Sequence, residues 1–271
     1  MGMSAAVRRL ENELYADAFT PNVIAKREVP KTAVNFVKKA FRAAKLKLAK
    51  YLVEKDILRP YLKYMSESIP VEIKDVDSYR GLVNAYIELC KKPKIVVNEK
   101  IIPGTGPYTK LLYRLKNSKS KLARYLGEKL SNGYKNLTST LIHEIGHYIQ
   151  EKTGLADKSL KAGYELGRAW LQRALPDDMK PMADEIAKAY AIEFARPFIE
   201  GTNEVFREYV EGKSEEAPTT YNMFKKAAEP VTREYGGIEK LFVSGYKHVK
   251  RAFLKFYENL AKLAQPQYAT A

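Results

Sequence analysis

Thr140-Leu-Ile-His-Glu-Ile-Gly-His-Tyr-Ile149 decides how the rest of this chain is read. Residues four apart on an α-helix lie one above the other, so His143 and His147 can present imidazole nitrogens to a single ion. Glu144 follows the first of them and projects beside such an ion, where its carboxylate can act as a general base toward a zinc-activated water. Leu137, Leu141 and Ile145 mark the buried side of the same helix. Gly146 carries no side chain and lets another segment come close. The chain has only three histidines, and two of them fall here with a glutamate between.

Working outward, a run of helical patterns surrounds this stretch. Helices are expected at about 108–130, 136–152, 159–174, 181–200, 203–211 and 237–264. Before them, Val71-Glu-Ile-Lys-Asp-Val alternates like a strand, and Lys94-Ile-Val-Val-Asn-Glu-Lys-Ile-Ile is short and β-branched. Earlier still, Val34, Val37, Phe41, Ala44, Leu48 and Leu52 recur at steps of three and four, which makes 31–55 an amphipathic helix. A further helical stretch is expected after Pro60, ending near Ser68. The expected fold class is α+β and predominantly helical. Residues 1–69 are read as a basic helical N-terminal region and 70–271 as the domain that carries the chemistry.

The motif resembles that of the zincin metallopeptidases. Zincins with a third histidine use H-E-x-x-H-x-x-G-x-x-H, and after His147 this chain reads Tyr-Ile-Gln-Glu-Lys-Thr. The resemblance therefore points to the gluzincins, whose third ligand is a glutamate on a downstream helix. It implies a zincin-like catalytic domain with a small sheet, an active-site helix and a glutamate-bearing helix. Gly201-Thr-Asn-Glu-Val-Phe-Arg-Glu-Tyr-Val-Glu-Gly is similar to that segment, with Thr202 or Asn203 as helix cap and Glu204 in the first turn. Glu204 is the expected third ligand, and Glu208, one turn on, an acceptor that could orient a ligating histidine. Fifty-six residues separate His147 from Glu204, more than in the thermolysin-like or aminopeptidase patterns. Glu193 is the main alternative, with Glu185 and Glu200 behind it. The strand at 94–102 is expected at the sheet edge, where zincins resemble one another in binding an extended peptide.

His248 falls on a seam with Leu241, Gly245, Ala252 and Phe256, faces inward on that reading, and is the candidate catalytic partner that stabilises an oxyanion. Tyr209 is a further donor near the expected ligand. Cys90 is the single cysteine, so neither an internal disulfide nor a cysteine-built zinc cage is possible.

The formal net charge is +15. Lys31 to Lys55 holds eight Lys or Arg against one acid, Glu54, and Gly106 to Asn136 holds eight against Glu128 alone. Such an excess suits nucleic acid or an acidic partner, and equally a lysine-coated, heat-adapted surface. No apolar run is long enough to span a membrane, and the N-terminus has no secretory core. The expected function is zinc-dependent hydrolysis of a peptide or protein substrate in the cytoplasm. The competing expectation is a nucleic-acid-associated or structural assembly protein with a non-catalytic zinc site.

Overall fold

A computed structural model describes residues 22–25, 29–66, 69–76, 85–89, 92–131, 133–212 and 219–264. Within them the chain is predominantly helical with one four-stranded mixed sheet, as expected of the α+β class. It divides into two compact units, Met1–Tyr148 and Ile149–Ala271.

The first unit is built on the sheet. Its elements in chain order are β1 (Val23–Ala25), α1 (Lys31–Glu54), α2 (Lys63–Ser66), β2 (Val71–Lys74), β3 (Ala85–Glu88), β4 (Lys94–Asn98), α3 (Gly106–Lys116) and α4 (Lys121–Ser131). Next comes α5 (Gly133–Lys152), inside which the division falls. Strand order is β1-β2-β4-β3, with β1 and β2 parallel, β2 and β4 parallel, and β3 antiparallel to β4. Val71 pairs with Val23 on one side and Ile95 on the other, so two β-branched residues flank it in register.

Two strands follow their sequence pattern closely. Val71 and Ile73 are buried while Glu72 and Lys74 alternate outward. Ile95, Val96, Val97 and Asn98 are all buried, because β4 is covered on both edges and both faces. That corrects one expectation: the strand at 94–98 is interior, and β1 and β3 are the edges. Lys94 ties three strands together, its ammonium lying 2.8 Å from Glu72 on β2 and 3.3 Å from Glu88 on β3. The hydrogen bond from Lys94 holds the Glu72 carboxyl below the usual carboxylate range.

Helix α1 sends Val37, Phe41, Ala44, Leu48 and Leu52 fully into the core, matching the apolar stripe read from sequence. Beyond β4, Asn98 accepts the amide of Lys100 and Thr105 accepts the amide of Tyr108, so one side chain ends the strand and the other starts α3. Tyr64 of α2 meets Tyr148 of α5 edge to face, ring centroids 6.0 Å apart.

Among its described residues the second unit is built of helices and holds no strand. After α5 ends, Gly154 adopts φ +71°, which favours glycine, and the chain turns into α6 (Leu155–Ala174). There follow α7 (Ala183–Glu211), α8 (Thr219–Glu234), α9 (Ile238–Val243) and α10 (Tyr246–Ala264). Helix α7 is one element where the sequence suggested two. Gly201 does not break it, because the missing side chain is where α8 crosses: an added Cβ would stand 2.6 Å from the Phe224 carbonyl oxygen. Thr202 therefore caps nothing; its hydroxyl donates back to the carbonyls of Phe198 and Ile199 at 2.8 and 3.0 Å.

Two prolines lie inside helices here, Pro197 in α7 and Pro230 in α8. Each removes an amide donor and disturbs the preceding turn. In both cases α10 supplies a donor to the carbonyl three residues earlier. The Tyr257 hydroxyl donates to Phe194, and the Asn259 amide to Ala227 at 3.2 Å. Phe253 and Phe256 of α10 pack edge-on against Phe198, at 5.3 and 5.4 Å between centroids, and close the core of this unit.

Candidate metal centre

The two motif histidines lie in the middle of α5, which runs unbroken from Gly133 to Lys152. Leu137, Leu141, Ile142 and Ile145 are fully buried, fixing the rotation of the helix about its axis. With that face committed, the four-residue repeat places the His143 and His147 Nε2 atoms 3.0 Å apart, the rings nearly perpendicular at 88°. Two nitrogen ligands on a tetrahedral zinc, each about 2.0–2.1 Å from the ion, stand about 3.3 Å from one another. The pair is thus spaced as two ligands of one ion would be. Glu144, between them in sequence, is 7% exposed.

The last turn of α5 is anchored to α7. Gln150, fully buried, donates through Nε2 to the Ile199 carbonyl at 3.0 Å and to the Thr202 hydroxyl oxygen at 3.0 Å. Glu200 lies between those two attachment points in sequence. The ligand atoms of His143, His147 and Glu200 fall within 4.8 Å of one another, a partly buried group that could hold a metal ion. Among the described residues no fourth His, Cys, Asp or Glu joins it. Two nitrogens and a carboxylate oxygen are donors that zinc accepts, and three protein ligands leave one position open.

The structure brings the histidines together with Glu200 and not with Glu204. The reason is local: Glu204, 5% exposed, accepts the Arg207 guanidinium through Nε at 3.1 Å and Nη2 at 2.9 Å. Arg207 in turn donates to Glu211 at 2.6 Å, and all three side chains are nearly inaccessible to solvent. Burial opposes the charge on Arg207, but the two carboxylates outweigh it and hold the guanidinium above its ordinary pKa. Glu208 is engaged by Lys225 of α8 at 2.5 Å.

Removing that central cation strands two carboxylates in a low-dielectric setting. Arg207→Ala is expected to cost about 3–5 kcal/mol, read in thermal unfolding as a fall of roughly 10 °C in Tm. A change under about 1 kcal/mol would show the three charges to be hydrated in solution.

The remaining candidates fall elsewhere. Glu193 is half exposed, pairs with Arg196 at 3.4 Å and lines an apolar surface depression of about 320 Å³ with Trp170, Tyr190 and Phe194. Glu185 is exposed on the first turn of α7. His248 does not face inward. The expected helix 237–264 is interrupted at Ser244–Gly245; Leu241, Ala252 and Phe256 of the expected seam are buried, but Val249 and Phe253 complete that face, and His248 lies on the first turn of α10. His248 is left exposed, its ring edge-on to Tyr235. Tyr209 is 47% exposed, and Cys90 lies outside the described residues.

Sequence reasoning placed Glu200 behind Glu204 and Glu193, level with Glu185, and did not single out Gln150. The signal that was available is Arg207, three residues beyond Glu204: a basic residue at that spacing engages the acid on its own helix. The chain matches no protein-family model, and neither the curated proteins nor the solved structures yielded a match.

Proposed function

We propose that this chain is a zinc-dependent metallopeptidase of gluzincin type. The observation that carries the reading is that the ligand atoms of His143, His147 and Glu200 lie within 4.8 Å of one another. A structural zinc is enclosed by four protein ligands, whereas three ligands and an open position characterise a hydrolytic centre. Glu200 takes the ligand role that the resemblance assigns to a downstream glutamate, and Glu204 stays on the Arg207 side of the helix.

When bound, zinc supplies a Lewis acid that polarises a scissile carbonyl and makes water more acidic. The chain itself supplies the proton chemistry. The Glu144 carboxylate removes a proton from the attacking water as its oxygen bonds to the carbonyl carbon. It then passes that proton to the amide nitrogen as the C–N bond breaks, leaving a carboxylate product and a free amine. Burial of Glu144 keeps bulk water from competing for that proton. Gln150 acts as a positioning residue, since its two bonds fix the α7 turn that presents Glu200.

The test is metal content beside peptidase activity in one preparation. About one zinc per chain is expected, with hydrolysis of an unstructured protein such as casein lost on chelation and restored by zinc. Hydrolysis that survives complete removal of metal, or a chain that takes up no zinc when supplemented, overturns the reading.

A further inference from the structure

The two basic stretches of the sequence meet opposite fates in the fold. In α1, Lys45 is 2% exposed with its ammonium 5.1 Å from the Phe41 ring centre, and Lys38 and Arg42 are half buried. That helix is spent on the core, with eleven buried residues in its length. Its charges are scattered around the small part of its surface that remains.

The second stretch forms a helical hairpin, α3 and α4 joined through Asn117–Ser120. The helices meet closely where Gly127 faces Leu115 and Lys116: an added Cβ would lie 3.2 and 3.3 Å from their side chains. Residues 106–131 hold seven Lys or Arg against the single acid Glu128. Lys110, Arg114, Lys116, Lys119, Lys121 and Arg124 are all exposed. Among the described residues no ion pair engages any of these six. Arg124 instead reaches back to the carbonyl of Ser118 at 2.9 Å, which closes the turn and keeps its cation at the tip. Tyr113 is 72% exposed and Tyr125 44% exposed within this field of cations.

We propose that the α3–α4 hairpin is a binding surface for single-stranded nucleic acid, independent of the metal centre. Unpaired cations at this density are neutralised at least cost by a chain of phosphates, with release of condensed counterions. The exposed tyrosine rings offer flat faces on which unpaired bases stack, and such stacking tolerates any base. An anionic membrane would demand something different. Helices that lie on lipid bury a face of Leu, Phe or Trp. The large apolar side chains exposed on this hairpin, among the described residues, are the two tyrosines alone.

The test uses the full chain and a fluorescent 20-nucleotide oligo(dT), with anisotropy read from 25 to 300 mM salt. Engagement of four or five phosphates gives a slope of log K against log salt of about −3, which is roughly 60-fold weaker binding at 200 than at 50 mM. K110A/R114A/K119A/K121A should cut affinity at least 10-fold and flatten the slope. Tyr113→Ala should weaken binding while leaving the slope unchanged, since stacking releases no counterion. All these side chains are at the surface, and unchanged thermal unfolding of the variants confirms an intact fold. Absence of binding at 25 mM salt overturns the proposal. So does an equal loss on substituting Lys39, Lys47 and Lys50 of α1, or binding to phosphatidylserine vesicles in preference to the oligonucleotide.

Discussion

Glu144→Gln is expected to lower peptide hydrolysis by about 10²- to 10⁴-fold, the range a positioned general base contributes, while zinc stays near one per chain. The amide is nearly the size of the carboxylate, so the packing around a side chain that is 7% exposed is preserved. What the amide cannot do is accept a proton and return it. His143 and His147 are untouched by the change, and their spacing is set by the buried face of α5 rather than by residue 144. The measurement is kcat/KM with metal content on the same sample. Loss of activity together with zinc would assign Glu144 to the ligand set, and undiminished activity would remove it from the chemistry.

The second large effect separates two glutamates one helical turn apart. Glu200→Ala should abolish stoichiometric zinc, weakening affinity by more than about 100-fold, the upper end for residues that merely orient a ligand. Glu204→Ala should keep the zinc and lose stability, because Arg207 loses one buried carboxylate partner while keeping Glu211. The readouts are metal content after dialysis against a weak chelator and the midpoint of thermal unfolding. Zinc lost from Glu204→Ala and kept by Glu200→Ala would reverse the assignment and return it to the order expected from sequence.

Much of the fold was legible because the helices advertise one face. The α1 stripe, the alternation of β2 and the helix that carries the two histidines all came through as periodicity, and periodicity reports burial. Helix α8 was missed. Thr219-Thr-Tyr-Asn-Met-Phe-Lys-Lys-Ala-Ala-Glu-Pro carries a proline near its end and few large apolar residues. Yet Ala227, Ala228 and Val231 are fully buried, because small residues let α8 approach the glycine of α7. Small side chains pack well and signal weakly. The same glycine misled the reading of α7, where Gly201 marks a crossing rather than an end.

The site was legible in part for a similar reason. The two histidines share a helix, so their spacing could be read from four residues of sequence. The third member of the group comes from a distant element, and its identity depends on how α7 is rotated. Residues Gly201 to Arg207 are buried on every face, which takes Glu204 inward with its guanidinium partner and leaves Glu200, just before that run, at the margin. Strand β1 has only three residues, and β3, Ala-Tyr-Ile-Glu, carries no apolar–polar alternation.

The carboxylate–guanidinium–carboxylate set of α7 also bears on the order in which the molecule assembles. Its partners are three and four residues apart, so they can meet as soon as that stretch coils, on the submicrosecond scale of helix formation. The charges then enter the interior already joined, as one unit of net charge −1 rather than three separately hydrated ions. A buried pair between distant segments, such as Lys225 with Glu208, must instead find its register during docking. Helix α7 therefore brings most of its own charge compensation to the core, and α8 adds one further cation, Lys225, opposite Glu208.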